Sequence, residues 1–398
     1  MKNILVLTAT PGMANALRRV LSQGCDNRPK VIATGGAMFR HASPQEYHPR
    51  WKSWRIEDLP MLPEPRFRPR TGCAAKIQEC KSAIAQADRI ILAPPPDPPG
   101  MMDLQILLDY VGYVGPVTVW STHSLRDQDM IRTISSPVED ADYWVQAEKL
   151  RVHADWLIGL NGSRAMTLYG RVSKAIPVGR VLSAMLSTFP VVPLSPSTED
   201  QNSSLDASTL QARTLRAFGD APKDTLVAWQ RAWEMGRISY PFSNEPVRFL
   251  EKLSAPPSDP LYALFQGAGR RENHPPCLLA DWLESLRDVS PWVQDPALKS
   301  QGSNIPLGSV RGRVNHFQHL VDQGWLDPHE MRLTDAGRRV HAQLPASLTD
   351  LGLTVLWSHA LDPRVSIGKI GEGSDVLQKF RAWSDKYVVD LISQMGKG

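Results

Sequence analysis

The decapeptide LAPPPDPPGM, residues 92–101, follows the apolar run Ile90–Leu92 and precedes an amphipathic stretch. Chains that alternate strands and helices place ligand chemistry after a strand in this way. The decapeptide holds five prolines and one carboxylate, Asp97. Proline fixes φ and carries no N–H, so this loop cannot wrap a phosphate in backbone donors as a glycine-rich loop does. Mg²⁺ takes hard oxygen ligands, usually carboxylates. One aspartate between prolines cannot hold it well, and Asp97 reads as a turn residue. Elsewhere, His316 and His319 lie three apart in a helical stretch with no third ligand in view, which reads as packing or surface. Arg151 and Asp155 lie four apart and can pair on a helix surface. The four cysteines, Cys25, Cys73, Cys80 and Cys277, have no metal-ligand spacing. They are too few for a disulfide scaffold and read as free thiols in a reducing cytoplasm. Neither GxGxxG nor GxxxxGK[ST] occurs, so the common nucleotide-binding loops are absent.

The elements that position these groups follow from the apolar pattern. Residues 2–24 predict a strand over Ile4–Leu7, a turn at Pro11–Gly12 and a helix ending near Gly24. A second strand ends at Leu92 and a third falls in GPVTVWST, residues 115–122. Strands alternating with helical stretches argue for a parallel α/β unit over the first ~140 residues. From residue 143 the pattern becomes helical, with Val152, Trp156, Leu157 and Leu160 at helical spacing. A Pro/Ser-rich stretch, residues 189–208, reads as a linker. Later helices are expected in STLQARTLRAFG, in KDTLVAWQRAWEMG and in SVRGRVNHFQHLVDQGWL. The last of these carries Val310, Val314, Phe317 and Val321 on one face, with Arg311 and Arg313 assigned to the polar face. Of twelve tryptophans, some could stack on bases, but Trp156, Trp229 and Trp357 sit at core spacing and are expected to be buried.

The chain has 398 residues, enough for two or three domains, and a net charge of +4. Mild basicity permits a polyanionic partner without requiring one. No apolar run reaches the ~18 residues a membrane span needs, and no signal-peptide pattern opens the chain. The expectation is a cytoplasmic protein with no membrane partner.

Four segments in order resemble the type IA DNA topoisomerases. RVHADWLIGLNGSRAMTL is similar to that family's R-x-x-ADWLVGMN-x-SRA-x-T helix, and IPVGRVLSAML to its S-x-GRVQ-[ST]-P-x-L segment. AWQRAWEMGRISYP is similar to A-x-x-LYE-x-G-x-ITYPRTD, which carries the nucleophilic tyrosine. NIPLGSVRGRVNHFQHLVDQGWL with MRLTDAGRRVHAQLP resembles the GIGTPATRA stretch and its downstream elements. The likeness extends from residue 2 to about 383. It implies an α/β Toprim-like N-terminal domain followed by mostly α-helical topoisomerase IA-like domains. The implied division is 1–142 for the Toprim-like unit, 143–188 for the first part of a helical single-strand-groove domain and 189–208 for a linker in place of the gate domain. A tyrosine domain over 209–288 and the second groove part over 289–398 complete it.

Aligned on this family, Tyr240 takes the nucleophile's place and His274 answers to the active-site histidine. A phenol attacks phosphorus only if its proton is taken and cations stabilise the developing charge. The supporting groups are replaced. The family's first acidic residue and lysine become Ala9 and Thr10, its carboxylate loop becomes Pro95, Asp97 and Met101, and the arginine two residues after the tyrosine becomes Phe242. The family's following aspartate becomes Asn244. Asp97 is then a lone remnant, Mg²⁺ binding is expected to be lost, no cofactor is expected, and Tyr240 is expected to be inactive. The same resemblance places Arg151, Arg164, Arg171 and Arg180 along a single-stranded DNA groove, with Arg311 and Arg313 beside it. The reading that follows is a degenerate DNA-binding relative, an accessory factor of a mobile-element, plasmid or phage system with a protein partner. Two others stay open: a reduced strand-cleaving enzyme forming a phosphotyrosine link through Tyr240, and a protein-binding scaffold with a vestigial groove.

Overall fold

The computed structural model describes residues 3–22, 28–191, 206–219, 221–243, 245–248, 250, 277–362 and 373–397. The N-terminal unit runs β1 (Ile4–Thr8), α1 (Pro11–Leu21), β2 (Lys30–Ala33), β3 (Phe39–His41), α2 (Pro44–Tyr47), β4 (Phe67–Pro69), α3 (Ala74–Ile84), β5 (Arg89–Ala93), α4 (Pro98–Val111), β6 (Val117–Val119) and α5 (Asp127–Ser135). Four strands form a parallel sheet in the order β2-β1-β5-β6, with Thr8 opposite Ala93. Alternate side chains point to opposite faces. Leu5, Leu7, Ile90 and Leu92 pack with residues of α3 and α4, whereas Val6, Ile91 and Ala93 pack with Met13, Leu17 and Val20 of α1. Strand order reverses between β1 and β5, so the loops that follow them lie side by side at the carboxyl edge, the usual ligand position in open α/β sheets.

Those two loops are short because helices start at once. Thr10 caps α1, its hydroxyl accepting the Met13 N–H at 3.3 Å, so Pro11–Gly12 opens a helix rather than forming the expected turn. Asp97 caps α4, accepting the Gly100 N–H at 2.6 Å. Pro98 and Pro99 fill the first helical positions, where their missing N–H groups would have had no partner.

The helical body comprises α6 (Ala141–Tyr169), α7 (Arg180–Leu186), α8 (Ala207–Phe218), α9 (Pro222–Glu234), α10 (Leu278–Ser285), α11 (Pro296–Gln301) and α12 (Val310–Asp322). It continues through the hairpin β7 (Leu326–Asp327) and β8 (Arg332–Leu333) to α13 (Asp335–Gln343), α14 (Ala346–Thr349), α15 (Gly352–Leu361) and α16 (Gly373–Met395). The long α6 packs along both α4 and α16 and joins the two parts of the molecule. Its core takes Leu157 and Ile158 of α6, Leu182 and Met185 of α7, Trp282 of α10, and Leu391 of α16. Trp229 and Trp357 are buried as expected, while Trp156 is half-buried and stacked on His41 at 5.2 Å.

The described residues of 209–288 divide between two hydrophobic clusters. Leu210, Trp229, Trp233 and Tyr240 join the face of the sheet that carries α1, whereas Ala212, Leu215, Ala280 and Leu283 join the helical core. Helix α8 begins inside the expected linker, at Ala207, with Asp206 as its cap.

Candidate active site

Tyr240 is 2% exposed, held between the sheet and α9. Its N–H donates to the His123 carbonyl, just beyond β6, at 2.7 Å. The Trp233 and Phe242 rings meet its ring edge-on at centroid distances of 4.9 and 5.5 Å. Its hydroxyl donates to Asp97 Oδ2. Asp97 Oδ1 accepts the Gly100 N–H, so both oxygens of the proline loop's only carboxylate are engaged. The loop is thus arranged around the tyrosine.

Electrostatics keep the pair un-ionised at the phenol. Burial pushes the Tyr240 hydroxyl far above the usual phenol range, and the adjacent Asp97 charge pushes the same way, with Arg311 opposing. Burial also pushes Asp97 up, against the bonds from Tyr240 and Gly100 and the charge of Arg311. On α4, Asp103 is pushed up to about 7 by burial, reinforced by the Asp97 charge. A buried phenol against a carboxylate has the contact of a nucleophile and its base. Yet the phenolate, the reactive form, is the disfavoured one here.

Among the described residues, the cation whose charge acts on this pair comes from another element. Arg311, on α12, places its guanidinium 3.8 Å from the centroid of the Phe242 ring and donates to Gln230 Oε1 at 2.8 Å. A guanidinium over an aromatic face is attracted by the ring quadrupole, so Phe242 seats a charge that it does not carry. Arg311 itself is exposed. Close by, Gly12 lets the end of α9 approach α1: a Cβ there would lie 2.7 Å from Glu234 Cβ.

The remaining arginines do not form one exposed row. Arg313 is 2% exposed and donates to Ser208 Oγ at 2.6 Å, to the Leu307 carbonyl at 3.1 Å and to the Gly308 carbonyl at 3.3 Å. Burial pushes it down to about 10. Its assignment to a polar helix face is corrected: it lies on the inward stripe with Val310, Val314 and Phe317. Arg164, on α6, is 3% exposed and donates to the Trp51 carbonyl at 2.7 Å, with Trp54 5.2 Å away. Arg180 pairs with Asp155 at 2.8 Å, reaches Thr354 at 3.3 Å and lies 4.3 Å from the Trp357 ring centroid. Arg151 holds Glu148 at 2.5 Å and Asp155 at 2.8 Å, the second contact being the expected four-residue pair. Arg171 is exposed, with a left-handed φ of 49° at the end of α6.

His316 lies near the Asp155–Arg180 pair and is lowered, first by burial and then by the charge of neighbouring His319. His274, Asn244 and Cys25 lie outside the described residues, whereas Cys73, Cys80 and Cys277 are unpaired thiols. Among the described residues no three His, Cys, Asp or Glu side chains are grouped to hold a metal ion, and no helix is long and apolar enough to cross a membrane. The contribution of His123 could not have been read from the sequence, because its backbone carbonyl does the work. Asp97 as a helix cap was readable, since Asp-Pro-Pro before an apolar stretch is a helix start.

In its parallel sheet followed by a helical body, and in its sequence, the chain is similar to topoisomerases. The chain is 29% identical over 205 residues to DNA topoisomerase 3 of Pasteurella multocida, covering 46% of this chain and 31% of that protein. It is 28% identical over 235 residues to DNA topoisomerase 3 of Bacillus cereus, covering 54% and 30%. It therefore spans about a third of the length of these curated relatives. In fold it is similar to full-length topoisomerase I from Thermotoga maritima, with a TM-score of 0.58 and 12% identity over 98% of this chain and 89% of that one. No family model matches.

Proposed function

We propose that this chain is a degenerate type IA topoisomerase-like protein that binds single-stranded DNA without metal-dependent cleavage or strand passage. The observation that carries the reading is the buried hydrogen bond from Tyr240 to Asp97. It keeps the phenol protonated and commits the one carboxylate of the loop. Ala9 and Pro95 offer no side-chain donor and Met101 only a thioether, so the donor set does not fit Mg²⁺. Only 60 residues separate Arg180 from Tyr240, which leaves little chain for the gate that the resemblance implies. The phosphate-contacting cations are the exposed ones, Arg311 beside the tyrosine and Arg171 at the end of α6. Arg151, Arg164, Arg180 and Arg313 hold internal partners and serve the groove as its frame. An accessory role beside a protein partner, in a plasmid, phage or mobile-element system in the cytoplasm, is the setting that fits a binding protein lacking its own chemistry.

A titration of labelled oligothymidylate at several salt concentrations tests this reading. Each phosphate neutralised contributes about −0.7 to the slope of log K against log salt. Arg311→Ala should flatten the slope by roughly 0.7 and weaken binding. A salt-independent affinity, or an unchanged slope in Arg311→Ala, would refute it. The rival enzyme reading draws on the same Tyr240–Asp97 contact taken as a nucleophile with its base. A covalent adduct trapped by SDS and lost in Tyr240→Phe would establish that rival.

A further inference from the structure

Beyond β6 the chain turns through Ser121, Thr122, His123 and Ser124, and a cavity of about 470 Å³ opens on the far side of the tyrosine segment. Helix α5 contributes Asp129, Arg132 and Thr133 to its walls, and the tyrosine segment contributes Ser239, Arg248 and Leu250. The volume falls within the roughly 300–1,000 Å³ of small-molecule sites. Among the described residues most of its lining side chains are polar or charged, with Leu250 the one aliphatic, although side-chain stems make nearly as much of the wall apolar as polar.

The polar groups are mostly donors with spare capacity. Arg248 is exposed, and its guanidinium has no ion-pair partner among the described residues. Arg132 pairs with Asp129 only at 3.4 Å and remains 78% exposed. The Ser121 hydroxyl is closed off from the cavity's free space and has no hydrogen-bond partner among the described residues. Thr122 accepts from the Ser124 N–H at 3.2 Å and donates to the Ser124 carbonyl at 2.9 Å, which folds the loop into a fixed turn. Burial, aided by Arg248, lowers the His123 imidazole, with Glu245 opposing. Among the described residues lining it, two guanidiniums against one carboxylate favour an anion as the occupant.

An oxyanion with several acceptor oxygens satisfies this set, and a bare ion is too small to fill the volume. The wall it would touch adjoins Tyr240, since Ser239 precedes it and the His123 carbonyl holds its N–H at 2.7 Å. We propose that this cavity binds the phosphate group of a nucleotide, with Arg248 and Arg132 as its cations. The choice of a nucleotide as the carrier rests on the DNA-binding reading above; the anion preference does not.

Calorimetry on the full chain tests the site with thymidine 5′-monophosphate, and with a ten-nucleotide oligothymidylate bearing either a 5′-phosphate or a 5′-hydroxyl. Saturable binding of the monophosphate is expected, weakened about tenfold or more in Arg248→Ala, as loss of a charge-assisted bond requires. A preference for the 5′-phosphorylated strand that vanishes in Arg248→Ala would assign the phosphate to strand ends. Monophosphate binding without that preference would assign it to free nucleotide. If the monophosphate binds and neither oligonucleotide does, the pocket stands and the DNA-binding reading falls. No saturable binding of the monophosphate, or equal binding by Arg248→Ala with an unchanged thermal unfolding profile, would overturn the proposal.

Discussion

Removing the Tyr240 hydroxyl would leave Asp97 Oδ2 buried with no donor. Orphaning a buried acceptor costs about 1–3 kcal/mol, so Tyr240→Phe should lower the urea midpoint at pH 7 while leaving oligonucleotide affinity unchanged. Asp97 already titrates above the usual carboxylate range because it is buried, and the Tyr240 bond holds it down. Without that bond its folded pKa rises further above the unfolded value. The protonated folded form is then favoured, so the deficit of the variant should shrink as pH falls. A deficit that grows on acidification would show that the pair is not what Asp97 contributes. The histidines behave oppositely. His41 is lowered to about 4 by burial, its ring nitrogens without partners. His153 is lowered to about 3, first by burial and then by Arg381 and His41, with the Pro63 carbonyl opposing. Both fall below the unfolded value of about 6.5. Their stability contribution is complete above pH 6.5 and is lost as pH falls toward 4 and 3. His41→Phe should flatten the decline in unfolding free energy between pH 6.5 and 4.5, measured in urea.

At the scale of elements, Arg180 ties three helices together: it pairs with Asp155 of α6, starts α7, and meets Thr354 and Trp357 of α15. Breaking a buried pair by deleting one partner costs roughly 3–5 kcal/mol, and Arg151 still holds Asp155. Arg180→Ala should therefore cost about 3 kcal/mol in chemical unfolding, whereas Arg171→Ala, at an exposed helix end, should leave stability unchanged. Equal stabilities would mean that the pair is not part of the frame. Such elements were legible to different degrees. The strands β1 and β5 were readable because buried parallel strands are continuous apolar runs. Helix α12 was readable by its stripe of Val310, Val314 and Phe317. Arg313 was misplaced because charge was weighed above period: three residues after Val310 and four before Phe317, it belongs to the inward stripe. Its burial is tolerated because Ser208 and two carbonyls take its N–H groups. The resemblance located both the proline loop and Tyr240, but not that they touch. That contact joins residues 143 apart in sequence, and no local periodicity encodes it.

Across the whole molecule, Tyr240 is a core residue shared by two parts of the chain. Ile91 and Ala93 of the sheet, Met13 of α1 and Trp233 of α9 form one buried cluster with it. The hydroxyl can reach a phosphate only if the tyrosine segment parts from the sheet, exposing that cluster and breaking the bonds to His123 and Asp97. Chemistry adds to this conformational barrier. Losing one positioned electrostatic donor slows a reaction by about 10²–10³, and losing a proton-transfer group by roughly 10²–10⁴. These effects do not add, since groups acting as a unit share their loss. Even so, with Ala9 and Thr10 at two supporting positions and Phe242 at a third, Arg311 is, among the described residues, the cation whose charge acts on the pair. The purified chain with negatively supercoiled plasmid and Mg²⁺ is therefore expected to give neither stepwise relaxation nor an SDS-stable adduct, and to shift the plasmid in a native gel only at low salt. Arg311→Ala should weaken that shift while Tyr240→Phe leaves it intact. A ladder of relaxed topoisomers that disappears in Tyr240→Phe would show that the segment opens and that the carboxylate beside the phenol acts as its base.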